Sequence, residues 1–302
     1  MDSNSSPADA AVSVAVLGDA MIDYVVEIDS QTSLDEKHAV TNSSRRLGGS
    51  GANAAAAVTA LCGAGTARLF ATVSDDEWGH WISARVRDLG IDGTGIRSVA
   101  GPVPHAVIVD DGGTRHLLVD RGVADDVIVP TEGELSGHHV VYTSNPVACL
   151  ERLLLPPNTC LVVGVEHQML DALSDESLNR AAILITNAAG WSVLRQRSVT
   201  VPAVETRGEL GVRLHRPGVP PVDVVALEVD AVDSTGAGDA FAGALCSYLA
   251  KDVEVVECIR RANAVAAVAV ATQGSHLGPV DPALIERLSR QSVSAEEVSP
   301  PT

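Results

Sequence analysis

Short apolar runs alternate with stretches of helical spacing along most of the chain. Four of these runs are rich in Val, Leu and Ile, at residues 12–17, 139–143, 161–165 and 182–186. Continuous apolar runs of this length are typical of strands buried on both faces, as in a parallel sheet covered by helices. A chain of 302 residues is long enough for one large domain. We therefore predict an α/β fold, with a doubly wound, mostly parallel sheet flanked by helices.

The nine residues 233–241, DSTGAGDAF, indicate a site for anion chemistry. Residues 222–232 are apolar with acidic interruptions and predict a strand, and an alanine-rich helix is predicted over 237–250, so the motif is expected where a strand leads into a helix. Small residues there allow backbone N–H groups to converge on an anion at the positive end of the helix dipole. Asp239 falls in the first helical turn, where a carboxylate beside a phosphate makes sense as a base for an attacking hydroxyl. The alternative is a tight turn followed by a capping carboxylate.

The full string resembles the second signature of the ribokinase-like sugar kinases, the PfkB family. Residues 47–57, LGGSGANAAAA, resemble the N-terminal GGxxxN signature of the same family. The resemblance implies a ribokinase-like domain over residues 11–289, with a small β-lid from residues 24–46 and 101–120. Residues 1–10 and 290–302 are polar and are expected to be disordered tails.

Within the lid, residues 105–110 and 115–120 are short runs on either side of Asp111, Gly112 and Gly113. This arrangement predicts a β-hairpin. Its strands, if they leave an edge exposed, are expected to pair two subunits into a homodimer.

The family resemblance implies ATP-dependent phosphorylation of a hydroxyl group on a small carbohydrate, either a sugar or a sugar phosphate. Asp239 is the expected base, and the N–H groups of Gly236, Ala237 and Gly238 are expected to stabilise the developing charge. Asp23 is expected to bind sugar hydroxyls. The residues expected to meet the sugar from the opposite side are Gly49, Ser50 and Asn53.

ATP and Mg²⁺ are the cofactors that the resemblance implies. The residues expected near the nucleotide are Asn187, Thr206, Arg207, Gly208, Gly211 and Asn263. The backbone of Asp233 and Thr235, with groups around Gly274, is the expected place for a monovalent cation, K⁺.

Two of the departures from the family pattern fall at the ends of predicted strands, and a third is Ser50, which stands where ribokinases carry a lysine. The usual N-x-x-E motif reads Asn187 to Gly190, so its glutamate is missing, and the helix that normally follows is expected to be nearly absent. Where many relatives carry Asp-x-Asn at a strand end, this chain carries Gly164, Val165 and Glu166. Two alternatives therefore stay open: a nucleoside kinase of the same fold, and a pseudokinase that binds sugar or nucleotide for regulation.

A dinucleotide-binding fingerprint is a further interpretation, since Gly49, Gly51 and Ala54 fit G-x-G-x-x-[GA]. The fingerprint requires a buried strand directly before it. Residues 41–46, TNSSRR, are too polar for one, which argues against an oxidoreductase.

The charge balance is strongly acidic, with 21 basic and 39 acidic residues and a net charge of −18. Such a surface repels nucleic acid and anionic membranes, so neither is an expected partner. The five cysteines are scattered without CxxC spacing, which is typical of reduced thiols. With no signal-like N-terminus and no apolar stretch of membrane length, we expect a cytoplasmic protein.

Overall fold

The structure is a computed structural model that describes residues 12–29, 37–111 and 115–292. Its strands are β1 (Val14–Leu17), β2 (Met21–Ile28), β3 (Val40–Gly48), β4 (Ala67–Phe70), β5 (Thr72–Ser74), β6 (Arg97–Val99), β7 (His105–Asp110), β8 (Arg115–Asp120), β9 (Val140–Thr143), β10 (Cys160–Gly164), β11 (Ile183–Asn187), β12 (Ala203–Thr206), β13 (Val212–Arg216) and β14 (Val219–Val224). The predicted tail at 1–10 and most of that at 290–302 lie outside the described residues.

Helices connect most of these strands. They are α1 (Ser50–Cys62), α2 (Glu77–Asp88), α3 (Glu132–Leu135), α4 (Pro146–Cys149), α5 (Asp175–Leu178), α6 (Ala188–Leu194), α7 (Ala237–Leu249), α8 (Val255–Val270) and α9 (Pro282–Ser289). In the part of the chain that is described, no helix combines the length and apolar character needed to cross a bilayer.

The central sheet has eight strands in the order β14-β13-β12-β11-β10-β9-β1-β4. Pairing is parallel from β4 to β12, and β13 is antiparallel to both of its neighbours. Strand β1 shows how both faces are covered: Val14 and Val16 pack with α1, α7 and α8, whereas Ala15 and Leu17 pack with the short helices α3 to α6. The predicted α/β fold is confirmed, and the apolar runs reflect burial on both sides of the sheet.

A separate four-stranded sheet, β3-β2-β7-β8, forms the lid. Strands β7 and β8 pair antiparallel from His105 opposite Asp120 to Asp110 opposite Arg115, which confirms the predicted hairpin. Residues 112–114, between the two strands, lie outside the described residues. Strand β2 leads directly from the end of β1 into this sheet, so the lid stands over the carboxyl end of the core strands.

Two local predictions of secondary structure were wrong. Strand β14 ends at Val224 and residues 225–236 form no strand or helix, so the motif is not entered directly from a strand. Most of these residues are exposed or half-buried, and exposed acidic residues favour solvent over a sheet. The helix after Asn187 is also present, as the seven-residue α6, because the Asn187 side chain caps it by accepting a hydrogen bond from the N–H of Gly190.

Residues 41–46 do form a strand, since they lie within β3. This strand is mostly exposed and pairs antiparallel with β2 in the lid, outside the parallel sheet. The argument against a dinucleotide fold therefore holds, because the strand before Gly49 is not a buried strand of the core sheet.

Candidate active site

The N-termini of two helices meet at the carboxyl end of the central strands. Helix α1 begins at Ser50 and helix α7 at Ala237, and the two pack closely along their small residues. A Cβ atom on Gly243 would lie 2.3 Å from the backbone oxygen of Ala54, so only glycine permits this approach. The close packing brings predicted sugar-binding residues of α1 against the predicted base of α7.

Asp239 is half-buried in the first turn of α7. Its Oδ2 accepts a hydrogen bond from Asn53 Nδ2 at 2.9 Å. Burial raises the pKa of Asp239 to about 7. The hydrogen bonds from Asn53 and Ser50 lower this pKa, whereas the negative charges of Glu166 and Asp19 raise it. A carboxyl group with this pKa exchanges a proton readily near neutral pH, as a general base must.

The predicted anion cradle lies beside this carboxylate. Gly236 adopts φ of +76°, a left-handed conformation that favours glycine, and ends the loop before α7. Among the described residues, the N–H groups of Gly236 and Gly238 meet no acceptor, whereas that of Ala237 donates to Ser234 O at 3.3 Å. A Cβ atom on Gly238 would touch nothing within 4 Å, so the space in front of the helix end is open. Free N–H groups facing open space at a helix N-terminus favour an anion.

The side-chain amide of Asn53 is hydrogen-bonded through its nitrogen but not through its oxygen in the described structure. Its Nδ2 binds Asp239, while its Oδ1 is buried and has no hydrogen-bond partner in the described structure. A buried acceptor without a donor is unfavourable by about 1–3 kcal/mol. A substrate hydroxyl that donates to Oδ1 would remove that penalty and lie next to the base.

Asp23 lies on lid strand β2 and is only 7% exposed. Burial raises the pKa of Asp23 to about 6, partly opposed by the positive charge of Arg46. A Cβ atom on Gly48 would lie 2.2 Å from the Asp23 carboxyl group, so the glycine beside it makes room for this side chain. With Arg46, Arg115 and Thr235, Asp23 lines a cavity of about 70 Å³ between the lid and the motif loop. The structure thus brings Asp23, the residue predicted to bind sugar hydroxyls, next to the loop at Asp233 and Thr235.

Gly49 and Asp19 shape the start of α1. Gly49 has φ of +95°, and a Cβ atom there would lie 2.6 Å from Asp19 O. Asp19 itself forms a two-pronged ion pair with Arg121 at 2.9 and 3.0 Å. Sequence reasoning missed Arg121, because the pair spans 102 residues of sequence and only the fold brings its members together.

The predicted donor-side residues lie at the ends of β11 and β12. Asn187 is in register with Thr206, whose hydroxyl donates to Thr186 O. Arg207 forms an ion pair with Asp223 at 2.5 Å, but Arg213 binds the same carboxylate, so one negative charge faces two guanidinium groups. Gly208 and Gly211 both have positive φ, and they bracket a single 3₁₀ turn.

Asn263, predicted near the adenine, is 7% exposed on α8. Its Nδ2 donates to the backbone oxygen of Val225 and to Ser292 Oγ, so the amide ties α8 to two other segments. Its placement near a nucleotide stays a prediction.

The predicted cation residues meet around the Asp233 carboxylate. That carboxylate accepts hydrogen bonds from the N–H groups of Thr235 at 2.9 Å and Gly274 at 3.2 Å. Two lid arginines also bind it: Arg115, which reaches Thr235 Oγ1 at 2.8 Å as well, and Arg46 at 3.8 Å. Burial raises the pKa of Asp233, but the hydrogen bonds from Thr235 and Arg115 outweigh it and hold the pKa below its usual value. These contacts join the lid to the loop that carries the anion cradle.

The position of the missing glutamate, Gly190, is sterically crowded. A Cβ atom on Gly190 would lie 2.0 Å from Thr186 Oγ1, so this backbone geometry leaves no room for a side chain. Glu166, just past the end of β10, is exposed, and its charge acts on Asp239, Asp19 and Tyr142. Glu166 is thus a site carboxylate that the sequence analysis named only as a departure from the family pattern.

The pH dependence of turnover is expected to follow Asp239. Since the base must be ionised, kcat/KM should fall as the pH drops below about 7, where Asp239 takes up its proton. Glu166→Gln removes a negative charge that raises this pKa, and should move the acid limb to lower pH. Glu176→Gln, an exposed charge removal outside the site, is the matched control and should leave the limb in place. An acid limb that is unmoved or moves upward in Glu166→Gln would contradict the assignment.

Comparison with known proteins relates this chain to one family. A sequence model described as pfkB family carbohydrate kinase matches residues 12–160 and 194–281. The chain is 27% identical over 298 residues to the ATP-dependent ribose-1-phosphate kinase of Halopiger xanaduensis, covering 93% of this chain and 99% of that protein.

Solved structures share the fold. The Arabidopsis thaliana ribokinase, solved with ribose and ATP, superposes with a TM-score of 0.73 at 20% identity, covering 93% of this chain and 99% of that one. The Burkholderia thailandensis nucleoside kinase, solved with inosine, superposes with a TM-score of 0.75 at 18% identity, covering 93% and 98%.

Proposed function

Because the chain belongs to the pfkB family of carbohydrate kinases, we propose that it transfers the γ-phosphoryl group of ATP to a hydroxyl of a small carbohydrate, with Asp239 as the base. The observation that carries the proposal is the hydrogen bond from Asn53 to Asp239 beside the open N-terminus of α7. It holds a carboxylate where an acceptor hydroxyl bound to Asn53 and Asp23 would face a phosphate bound to the helix.

The reaction uses these groups in a simple order. Asn53 Oδ1 and Asp23 accept hydrogen bonds from sugar hydroxyls and so orient one of them toward the donor phosphate. Asp239 takes the proton of that hydroxyl as its oxygen attacks. The N–H groups of Gly236 and Gly238 stabilise the charge on the transferred group. The N–H group of Ala237 contributes as well once its long hydrogen bond to Ser234 O breaks.

The lid excludes water during this transfer. Its cavity of about 70 Å³ is smaller than a ligand pocket, so the lid has to open to admit a sugar and to close again over it. Arg46 and Arg115 both bind Asp233 in the closed arrangement. For a sugar phosphate, these two guanidinium groups, which line the cavity with Asp23, are proposed to bind its phosphate.

Mg²⁺ is proposed to accompany the nucleotide. It keeps most of its water ligands and needs only one or two carboxylates. Gly190 leaves no room for a glutamate at the family position, so the donor phosphates and water are proposed to supply the ligands of Mg²⁺. When bound, Mg²⁺ neutralises charge on the donor phosphates. A K⁺ ion near Asp233, Thr235 and Gly274 would be held by backbone oxygens, because Arg115 already neutralises the Asp233 carboxylate.

A substrate panel tests the proposal. The protein is incubated with ATP, Mg²⁺ and K⁺ against ribose, fructose, ribose 1-phosphate, adenosine and inosine, while ADP release is followed beside an Asp239→Asn control. Release that depends on a sugar or sugar phosphate and on Asp239 supports the proposal. Release with nucleosides alone would identify a nucleoside kinase. Binding of ATP or sugar without turnover of any compound would identify a pseudokinase and overturn it.

We further propose a homodimer that forms through the lid, in a protein that works in the cytoplasm, where its five free cysteines stay reduced. Strand β8 is a lid edge with one neighbour, β7, and its Leu117, Leu118 and Val119 are 61%, 62% and 48% exposed. An exposed apolar edge favours pairing with a second strand.

Leu118→Lys is therefore expected to convert a dimer into a monomer, because a charge on an edge strand opposes pairing. The molar mass from light scattering during gel filtration gives the result. Leu154→Lys is the matched control, since Leu154 is 66% exposed on a loop of the core. A wild-type chain that is monomeric, or a Leu118→Lys variant that stays dimeric, would refute the lid interface.

A further inference from the structure

A second cavity lies at the amino-terminal end of strand β12, whereas the active site lies at the carboxyl ends of the central strands. It has a volume of about 280 Å³ and is enclosed by the end of α6, the segment before β12 and the turn from β13 to β14. Ala203 begins β12 in the wall of the cavity, and Thr206 ends the same strand on the donor side, so the length of the strand, about 10 Å, separates the two regions. This cavity is therefore not part of the catalytic cleft.

The cavity offers a flat aromatic surface. Trp191 of α6 stacks on His215 of β13, with ring centroids 3.7 Å apart and an angle of 16° between the planes. His215 is held in place by Glu205, 2.8 Å from its Nε2. Val199 and Val201 add apolar surface beside the rings. Such a surface suits the ring or carbon skeleton of a small ligand.

The same cavity carries two arginines without anionic partners. Among the described residues, neither Arg195 nor Arg216 contacts a carboxylate, and Nε of Arg216 is buried without any acceptor. The neighbouring Arg197 differs, since its guanidinium is bound by Asp175 and by the backbone oxygens of Leu170 and Leu173. In a chain with a net charge of −18, two unbalanced guanidinium groups on one cavity favour an anion, and guanidinium matches phosphate in two-pronged hydrogen bonds.

Part of this cavity lies in a segment that the family model does not match. Trp191 falls within residues 161–193, which the family model leaves unmatched, and it lies on the short helix α6. The aromatic surface therefore does not follow from membership of the family.

We propose that this cavity binds a small organic phosphate, with the phosphate on Arg195 and Arg216 and the organic part against Trp191. Its volume, near the lower limit of about 300 Å³ for ligand pockets, fits a sugar phosphate or a nucleoside monophosphate. Both share a phosphate on a compact ring, and the site is independent of the catalytic assignment.

Calorimetric titration of the full chain with ribose 5-phosphate, AMP and inorganic phosphate tests the proposal, and a saturating non-hydrolysable ATP analogue occupies the donor site throughout. We expect at least one organic phosphate to bind and to change the emission of Trp191, a change that Trp191→Phe abolishes. Arg195→Gln and Arg216→Gln should each weaken this binding about tenfold or more. Arg87→Gln, which removes an exposed α2 arginine without an ion pair in the described structure, should not.

The two organic probes distinguish the ligand sources: tighter binding of AMP indicates a nucleotide, and tighter binding of ribose 5-phosphate a sugar phosphate. Circular dichroism shows whether each variant is folded, and Arg195, being exposed, is the substitution least able to disturb the core. The proposal is overturned if neither organic phosphate binds up to about 10 mM, if inorganic phosphate binds as tightly as both, or if binding survives both arginine substitutions.

Discussion

Replacing Asp239 by asparagine is expected to lower kcat for sugar phosphorylation about a thousandfold, the loss typical of a missing general base. Asparagine keeps the shape of the side chain and can still accept the hydrogen bond from Asn53, but it cannot take a proton. Steady-state rates with the preferred sugar give the result, while KM for ATP should change little. Asp171→Asn removes an exposed charge outside the site and is the control. A variant that keeps more than about a tenth of wild-type turnover would contradict the role of Asp239.

The same substitution is expected to stabilise the fold at neutral and alkaline pH. Burial raises the pKa of Asp239 from 3.8 to about 7, so between these values the folded chain binds more protons than the unfolded chain. The free energy of unfolding therefore falls as the pH rises through this window and stays lower above it. Asparagine carries no charge to bury. Its melting temperature should exceed that of the wild type by a few degrees at pH 8, and the difference should shrink toward pH 4. An equal or lower melting temperature at pH 8 would show that the buried charge is not unfavourable.

Gly243→Leu is expected to damage both stability and catalysis. Its Cβ atom would lie 2.3 Å from Ala54 O and 2.9 Å from the Cβ of Ala57, so α1 and α7 must move apart. Overpacking of this kind destabilises by about 1–3 kcal/mol, although leucine is the better helix former. Because Asn53 and Asp239 lie on these two helices, one turn from the clash, their hydrogen bond should lengthen and kcat should fall.

Denaturant unfolding and steady-state kinetics measure the two effects of Gly243→Leu. Gly133→Leu is the matched control, because Gly133 is also helical and a Cβ atom there would meet only Thr131 Oγ1, at 4.0 Å. Unchanged stability in Gly243→Leu would show that the helices can separate freely. Lost stability with full kcat would show that the distance between α1 and α7 does not matter for the chemistry.

The sequence was sufficient for the architecture, because burial on both faces of a strand leaves a continuous apolar run that is read locally. The strands β7 and β8 of the hairpin were predicted with their correct residues for a similar reason, since two short apolar runs close together in sequence are a local signal. The predictions that failed depended on the surroundings of a segment. Residues 222–232 have enough apolar residues for a strand, but the sheet ends with β14 at Val224 and offers them no further partner.

In the site as well, some features follow from local sequence and others from tertiary packing. The identity of the base and the glycines before it was determined by nine consecutive residues, because a helix N-terminus is built from local sequence. Only the tertiary structure placed Asn53 against Asp239, Arg121 against Asp19 and Arg115 against Asp233, pairs that are 186, 102 and 118 residues apart. The raised pKa of Asp239 also depends on burial and on Glu166, which the packing of distant segments supplies. Residue type and local spacing thus determined which groups are available, and long-range packing decided their partners and their charge.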